Sequence, residues 1–334
     1  MAEKTLSAFR HHGGRVNTAR AAFPSAPLPW IDLSTGISPY AWSGPQTNDL
    51  TALPDPDEIA DLEKAAAIYF GCANQPIAAL PGADMGLRLL PQLIKARNVA
   101  IVSPTYQGHV EAWREAGADV QPVSHESLAS CEAQVVVLVN PNNPDGRAIE
   151  APAVLKILQH QQSRDGWLIV DESFADVMPE ISLAAHAQRC LVVLRSFGKF
   201  FGLPGARLGF VLGDCTILKA IRAVTGAWPV NMQALHLGKG AYSDFAWHKE
   251  ARIQLAADAA RLDGLLNDAG MAVCGGTSLF RLVSCADAEK AFLSLAQRGI
   301  LVRPFDYAPD WLRFGIPRAG QWTRVANALA EWRQ

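Results

Sequence analysis

The sequence predicts an α/β protein built around a mostly parallel sheet. Continuous Val, Ile and Leu runs of strand length recur along the chain, and they suit strands that are covered on both faces. Helix-length segments stand between many of these runs, which is typical of parallel strands joined by crossover helices. With 334 residues, 49% of them hydrophobic, the chain is long enough for about two domains with sizeable cores.

The first clear helix follows a polar, Pro-rich opening. Asp55 and Glu58 match a capping box, Pro56 suits the first helical position, and Gly71 suits a left-handed helix end. Further segments follow in chain order: a helix over 82–97, a strand over 98–104, a helix over 106–117, strands over 118–124 and 133–141, a helix over 151–164, and strands over 166–173 and 190–196.

The sequence changes character beyond residue 230. A long helical stretch rich in Ala, Leu and Arg is followed by shorter segments: strands over 278–284, 300–305 and 311–317, a helix over 288–299 and a final helix. This pattern predicts a smaller α+β unit. Because no Gly/Ser-rich linker separates the two parts, we expect their boundary to fall inside or beside the long helix.

Charge, cysteine spacing and hydropathy argue against several classes of protein. The 30 basic and 32 acidic residues give a net charge of −2, which leaves no excess basic field for nucleic acid. The six cysteines include no C-x-x-C pair, so we expect neither a zinc knuckle nor a thioredoxin-type site. No run approaches the ~18 apolar residues of a membrane span, and the N-terminus lacks the apolar stretch of a signal peptide. We therefore expect a cytoplasmic protein.

Three polar side chains follow apolar strands at equal spacing. Asn143, Asp171 and Lys199 are separated by 28 residues each, close to the ~30 residues of one strand–connection–strand unit. Because ligands collect at the carboxyl ends of parallel strands, we expect the three at one edge of the sheet. Together they suit pyridoxal phosphate: the lysine forms a Schiff base with its aldehyde, the carboxylate pairs with the pyridine nitrogen, and the amide donates to the phenolic oxygen.

Two further segments suit the phosphate of that cofactor. Ser196 stands three residues before Lys199 and Arg207 eight after it, and their hydroxyl and guanidinium groups can hold an oxyanion. In PGADMG, the amides of Ala83 and Asp84 open a helix whose N-terminal dipole favours an anion. Taken singly, each of these residues has a plainer interpretation as a solvated side chain, a cap or a turn residue. Their combination is what indicates a site.

The chain resembles the fold-type I (aspartate aminotransferase-like) family of pyridoxal phosphate enzymes. Four motifs carry the resemblance, in this order: NPNNPDG, VDES, SFGKFFGLPGARLGF and WLRFGIP. The resemblance implies a mixed, mostly parallel seven-stranded sheet and a homodimer with active sites near the interface. It also implies a large cofactor-binding domain over 41–240 and a small domain built from both chain ends, 1–40 and 241–334.

The resemblance implies a role for each matched residue. Lys199 matches the Schiff-base lysine, Asp171 the pyridinium partner and Asn143 the donor to the phenolic oxygen. Tyr106 in SPTYQGH matches the aromatic residue that stacks on the cofactor ring, and Arg313 matches the arginine that anchors the substrate carboxylate. The residues that match the phosphate cup are Ala83, Asp84, Ser196 and Arg207.

Within this family the chain is most similar to the threonine-phosphate decarboxylases of cobalamin biosynthesis. FRHHGGRV and IDLSTGISPYAW resemble their N-terminal segments, and Phe174 stands where aminotransferases commonly have a tyrosine. Leu53 stands where histidinol-phosphate aminotransferases typically have a tyrosine, so a phosphate contact expected from the partner subunit is absent or replaced. For the substrate phosphate we nominate a basic N-terminal segment, comprising Arg10, His11, His12, Gly13 and Arg15.

The implied reaction is decarboxylation of a small phosphorylated amino acid, L-threonine O-3-phosphate. Its carboxylate would be held out of the cofactor plane so that CO₂ departs, and Lys199 would return a proton to Cα. Whether Arg313 holds the carboxylate or the phosphate stays open. A histidinol-phosphate or related aminotransferase is the main alternative. A non-catalytic cofactor-binding sensor or scaffold and a cofactor-free α/β protein are the others.

Overall fold

The computed structural model of the protein describes residues 8–45, 50–186 and 188–332. The main α-helices, in chain order, are α1 (Val16–Ala22), α2 (Pro56–Tyr69), α3 (Ala83–Ile94), α4 (Gln107–Glu115), α5 (Ala151–Gln162), α6 (Cys215–Thr225), α7 (Met232–Ser243), α8 (Phe245–Asp268), α9 (Ala288–Gln297) and α10 (Trp322–Trp332). Among the described residues, no helix combines the length and the apolar character that crossing a bilayer requires.

The strands range from two to six residues in length. In chain order they are β1 (Ile31–Asp32), β2 (Ile77–Leu80), β3 (Asn98–Val102), β4 (Asp119–Val123), β5 (Val135–Val139), β6 (Trp167–Asp171), β7 (Leu191–Ser196), β8 (Gly209–Gly213), β9 (Ala272–Thr277), β10 (Phe280–Ser284), β11 (Ile300–Leu301), β12 (Arg303–Pro304) and β13 (Trp311–Gly315).

The chain divides into two compact units. The large unit consists of the described residues within 42–143 and 147–248. The small unit consists of the described residues up to Ala41, the three residues Pro144–Gly146, and the described residues from Lys249 onward. Toward the C-terminus, the boundary between the units falls between His248 and Lys249, inside helix α8.

The large unit is built on a seven-stranded sheet in the order β2-β8-β7-β6-β5-β3-β4. The ladders that join β7, β6, β5, β3 and β4 are parallel, whereas β8 runs antiparallel to both of its neighbours. The mixed, mostly parallel α/β fold expected from the sequence is confirmed. The strand segments read from the sequence omitted β2 and β8, the two strands that extend the sheet beyond β7.

Apolar burial on both faces explains why the central strands form. Every residue of β5, VVVLV, is buried, as are the first five residues of β7. Leu87 and Leu90 of α3, Trp113 of α4 and Ile221 of α6 join the apolar cluster on one face of the sheet, all at most 3% exposed. The parallel strands therefore lie between covering layers, and the polar side chains that follow them collect at the sheet edge.

The small unit contains an antiparallel sheet in the order β12-β13-β10-β9 and a short parallel pair of β1 with β11. Its core draws side chains from both parts of the chain, including Leu33, Leu262, Phe292 and Phe314, all at most 1% exposed. The turn at 144–146 is fixed here because the amide of Gly276 donates to the Asp145 carbonyl at 2.7 Å.

Two side chains of α8 test the burial argument within one helix. Leu262 is fully buried in the core of the small unit, whereas Ile253 is 62% exposed. We expect Leu262→Ala to lower the free energy of unfolding by about 2–5 kcal/mol, because it removes buried methyl groups and leaves a cavity. Ile253→Ala, the matched control, should change it by no more than about 0.5 kcal/mol. Urea denaturation of both variants measures the difference, and equal losses would contradict the core assignment.

Candidate active site

Asp171 is a buried carboxylate at the carboxyl end of β6, and only 5% of the residue is exposed. Its Oδ1 accepts hydrogen bonds from the amide and hydroxyl of Ser173 at 2.9 and 2.5 Å, and its Oδ2 accepts one from His109 Nε2 at 2.9 Å. Burial alone would raise the pKa of Asp171, but the hydrogen bond and charge of His109, with the bonds from Ser173, hold this pKa below its usual value. Asp171 is therefore kept ionised out of water.

His109 was not anticipated by the sequence analysis. It lies in the first turn of α4, three residues after Tyr106, so the two side chains share one side of the helix start. Their rings meet edge to face at 6.2 Å between centroids. Gly108 allows this packing, because a Cβ at that position would approach the Tyr106 ring to 2.5 Å. The motif T-Y-Q-G-H, which places His109 three residues after Tyr106, is visible in the sequence. The residue that His109 contacts, Asp171, is 62 positions away along the chain, so the motif alone does not reveal the pair.

Lys199 lies in the segment between β7 and β8, and buried aromatic side chains hold this segment. Phe197, Phe200 and Phe201 are fully buried, and the rings of Phe197 and Phe201 stack at 4.8 Å. Lys199 itself is partly exposed, and its Nζ lies 5.5 Å from the ring centroid of Phe174. Buried aromatic packing therefore holds the backbone on both sides of Lys199, a residue that is itself partly exposed.

The register of the sheet brings the predicted phosphate-cup segments together. Ser196 of β7 pairs with Gly209 of β8, and Gly209 pairs with Leu80 of β2. Gly209 permits a close approach of the next segment, since a Cβ there would lie 2.3 Å from the amide nitrogen of Ala83. Ser196 and the backbone amide of Ala83, the first residue of α3, therefore both lie next to Gly209.

Arg207 lies against the N-terminus of α3. Gly82, which precedes the helix, has φ = +94°, a backbone conformation that favours glycine. A Cβ at Gly82 would approach Arg207 Nη2 to 2.7 Å, so the guanidinium lies directly against this glycine. Asp84 follows in the first turn, where its side chain pairs with Arg88 at 3.0 Å. An exposed guanidinium beside the N-terminus of a helix is an arrangement that suits an anion.

Asn143 is buried in a turn that two other asparagines build. The side chain of Asn140 exchanges hydrogen bonds with the backbone of Ile149 at 2.9 and 2.8 Å. Asn142 accepts from the Thr105 hydroxyl at 2.7 Å. The turn also starts beside Asp171, because the amide of Asn140 donates to the Asp171 carbonyl at 2.9 Å. The segment that carries Asn143 is therefore tied to the end of β6.

In the small unit, Ser34 connects the N-terminal segment with Arg313. The amide of Gly14 donates to the Ser34 hydroxyl at 2.8 Å, and Arg313 Nη2 donates to the Ser34 carbonyl at 3.0 Å. Gly13 fits only because it lacks a side chain, since a Cβ there would lie 2.3 Å from that carbonyl. Arg313 and the HGG segment, nominated separately from the sequence, thus contact the same residue.

A second buried arginine, Arg303, was missed by the sequence analysis. It stands directly opposite Arg313 in the β12–β13 ladder, and the two residues are 7% and 3% exposed. Arg303 Nη2 donates to the carbonyl of His11 at 2.9 Å. Burial, followed by the charge of Arg303, holds the pKa of Arg313 well below its usual value. Two neighbouring buried guanidinium groups favour an anionic ligand, which would relieve their repulsion.

The other nominated N-terminal residues are less buried. Arg10 pairs with Asp306 at 3.2 Å, and His12 is exposed. Arg15 is also exposed, and its Nη1 donates to the carbonyl of Ala8 at 2.8 Å, which ties it to its own segment. Arg313 is therefore the most buried of the residues nominated for substrate binding.

The chain belongs to the aminotransferase class I and II family, whose model matches residues 43–329. It is 38% identical to a threonine-phosphate decarboxylase from Pseudomonas aeruginosa over 97% of this chain and 98% of that protein. It is 30% identical to a histidinol-phosphate aminotransferase from Xanthomonas campestris over 89% of this chain and 90% of that protein.

A solved structure supports the fold. The chain resembles the crystal structure of histidinol-phosphate aminotransferase from Sinorhizobium meliloti in complex with pyridoxal 5'-phosphate, with a TM-score of 0.83 and 20% sequence identity. The superposition covers 95% of this chain and 94% of that chain. At this identity the likeness defines the fold, which is the one the sequence predicts.

Removal of the His109 side chain tests the environment of Asp171. A carboxyl pKa that folding lowers stabilises the protein above the unfolded value of about 3.9 and loses this effect as the pH falls through the folded value. In His109→Leu the pKa of Asp171 should rise, so the variant should lose on the order of 3 kcal/mol at pH 7. Because a protonated Asp171 needs no such partner, the loss should shrink as the pH falls towards 4.

The matched control is His186→Leu, at an exposed position of the same unit. It should change stability by less than about 0.5 kcal/mol at either pH. Urea denaturation of the wild type and both variants at pH 7 and pH 4.5 measures the effect. A His109→Leu deficit that is independent of pH would contradict the charge pairing.

Proposed function

We propose that this chain is a pyridoxal phosphate-dependent lyase that decarboxylates L-threonine O-3-phosphate to (R)-1-amino-2-propanol O-2-phosphate and CO₂, in the aminopropanol arm of cobalamin biosynthesis. The observation that carries the proposal is the nearly full-length similarity to the Pseudomonas aeruginosa threonine-phosphate decarboxylase. Phe174, the HGG segment and the paired buried arginines support it from within this chain.

The large unit has the groups that would hold the cofactor. The amides of Ala83 and Asp84, the hydroxyl of Ser196 and the guanidinium of Arg207 suit a phosphate. Their fit rests on two glycines: a Cβ at Gly82 would meet Arg207, and one at Gly209 would meet Ala83. When bound, the cofactor supplies a protonated pyridine ring that withdraws electrons from the substrate amine carbon.

Asp171 and Lys199 would perform the proton chemistry. Asp171, held ionised by His109 and Ser173, would keep a proton on the ring nitrogen at pH values where pyridine alone would lose it. Lys199 Nζ would return a proton to the substrate Cα after CO₂ leaves. Asn143 would donate to the phenolic oxygen and Tyr106 would cover the ring face, as the family resemblance implies. Phe174 places a ring without a hydroxyl beside Lys199.

Arg303 and Arg313 would recognise anionic groups of the substrate. A phosphate monoester and a carboxylate bring up to three negative charges, and Arg303 and Arg313 supply two buried positive charges side by side. The backbone of Gly13 and the side chains of Arg10, His12 and Arg15 complete the nominated set. Charge-assisted contacts of this kind hold the substrate in one orientation, which decides the Cα bond that breaks.

We also propose that the protein acts as a homodimer in the cytoplasm. The family resemblance implies the dimer. The six cysteines are free thiols, which suits a reducing compartment.

Turnover without an acceptor separates decarboxylation from transamination. The purified protein, supplied with pyridoxal phosphate and L-threonine O-3-phosphate but no 2-oxo acid, should release CO₂ and aminopropanol phosphate in equal amounts over many turnovers. L-Threonine, which lacks the phosphate, should react at least ~100-fold less efficiently, since two charged hydrogen bonds are lost. Turnover only after 2-oxoglutarate is added would favour the aminotransferase alternative, for which the Xanthomonas campestris relative provides the precedent.

Chemical trapping tests the role of Lys199 independently of turnover. Borohydride reduction of the protein with pyridoxal phosphate should fix the cofactor onto Lys199, as read by peptide mass spectrometry. Lys199→Ala should stay folded, lose the adduct and lose at least ~10⁴-fold in activity, because the covalent and proton-transfer roles share one amine. Lys219→Ala, at an exposed lysine of α6, is the control and should keep both. An adduct at another lysine would refute the assignment.

A further inference from the structure

A buried ion triad lies in the large unit, outside the proposed chemistry. Arg195 Nη1 lies 2.9 Å from Glu172 Oε2, and Arg195 Nη2 lies 2.5 Å from Asp176 Oδ1. The three side chains are 3%, 0% and 2% exposed, respectively. The guanidinium therefore binds one carboxylate with each terminal nitrogen, away from solvent. Such buried charge-assisted pairs are strongly directional, and loss of one partner leaves the others uncompensated.

The triad joins two segments that carry candidate active-site residues. Arg195 lies on β7, four residues before Lys199. Glu172 and Asp176 lie in the segment after β6, and each is two residues from Phe174. One side chain of β7 therefore holds the backbone on both sides of Phe174, whose ring is 5.5 Å from Lys199 Nζ.

Further contacts hold the triad in place. Glu172 also accepts from the Ser182 hydroxyl and the Leu183 amide, both at 2.5 Å, and the Arg195 guanidinium packs over the Phe70 ring at 4.3 Å. Burial raises the pKa of Glu172 and the charge of Arg195 opposes that rise, so an ionised triad depends on the guanidinium. A shift of Arg195 would therefore disturb the segment after β6 that contains Glu172 and Asp176.

We propose that Arg195 is a positioning residue, which keeps the Phe174 ring beside Lys199 by holding the carboxylates on both sides of Phe174. An aromatic face stabilises a nearby cation, so the ring favours the protonated form of the Lys199 nitrogen. Arg195 thereby acts on that nitrogen through Phe174, without touching substrate or cofactor. The inference rests on the proposed function for the importance of Lys199 and is independent of which phosphorylated amino acid is used.

The experiment follows the visible absorption band of the protein with bound pyridoxal phosphate, which titrates with the nitrogen that Lys199 contributes. Phe174→Leu should lower the pH midpoint of this titration by on the order of half a pH unit, because the cation loses the aromatic face. Arg195→Lys should lower it in the same direction, since a single ammonium cannot bind both carboxylates as the fork does. Asp176→Asn, which keeps the Arg195–Glu172 pair, should do so by a smaller amount.

The double variant tests whether Arg195 acts through Phe174. In Phe174→Leu/Arg195→Lys the midpoint should shift no further than in Phe174→Leu alone, because the ring is already gone. The matched control is Arg281→Lys, at an arginine that contacts both oxygens of Asp263 at 2.6 and 2.9 Å in the small unit. It should lower the melting temperature while the midpoint stays unchanged.

Two results would overturn the proposal: unchanged midpoints in Arg195→Lys and Asp176→Asn, or fully additive shifts in the double variant. If Arg195→Lys does not fold, as judged by circular dichroism, the single Asp176→Asn variant and its double with Phe174→Leu decide the question. A wild-type protein that binds no pyridoxal phosphate would overturn the proposed function and this inference together. A wild type that binds it, with unaffected variants, would overturn this inference alone.

Discussion

The site depends on one electrostatic constraint: a carboxylate must remain ionised inside the protein. Asp171 ends a strand that is buried on both faces, where desolvation favours the neutral acid. Three donors, one from His109 and two from Ser173, reverse that preference. The tight turn after β6 and the first turn of α4 are therefore arranged around a charge, and the neighbouring Asn140 turn is hydrogen-bonded to the same strand end.

Buried charged side chains are found in both the large and the small unit. In the large unit, the Arg195 triad holds the segment after Asp171. In the small unit, Arg303 and Arg313 are buried opposite each other in one ladder, and burial, followed by the charge of Arg303, lowers the pKa of Arg313. The first arrangement sets a guanidinium between two carboxylates. The second sets two guanidinium groups opposite each other, where we propose that they bind the anionic substrate. In this proposal Arg195 has a structural role, whereas Arg303 and Arg313 recognise the substrate.

The sequence predicted the parts of this arrangement that depend on periodicity along the chain. Lys199 and Asp171 were expected at one sheet edge because strand–connection–strand units repeat at about 30 residues, and the β6–β7 ladder is parallel, as that argument requires. The strands β2 and β8 were overlooked because IAAL is only four residues long and GFVLG continues a Gly-rich stretch that reads as a loop. Short strands carry too little pattern to stand out.

Residues whose role depends on pairing between distant segments were beyond sequence reasoning. His109 lies on a helix and meets Asp171 only in the folded sheet. Arg303 stands in ILVRPF, where its neighbours predict a strand but not the side chain opposite. Its significance appears only from the register with Arg313. The HGG segment and Arg313 were nominated from separate motifs, and Ser34, which both contact, carried no signal of its own.

The position of β2 at the sheet edge has a thermodynamic consequence. Among the strands of the described residues, β2 is hydrogen-bonded to a single neighbour, β8, and it leads into α3, which Gly82 precedes and against which Arg207 lies. A phosphate held between the first amides of α3 and Arg207 would bridge segments on both sides of that single ladder. By mass action, a ligand that binds only the folded protein stabilises the folded arrangement of the segments that it contacts. The cofactor would then stabilise β2 at the edge of the sheet as well as supply its chemistry, so local unfolding of β2 should be rarer in the protein with bound cofactor than in the protein without it.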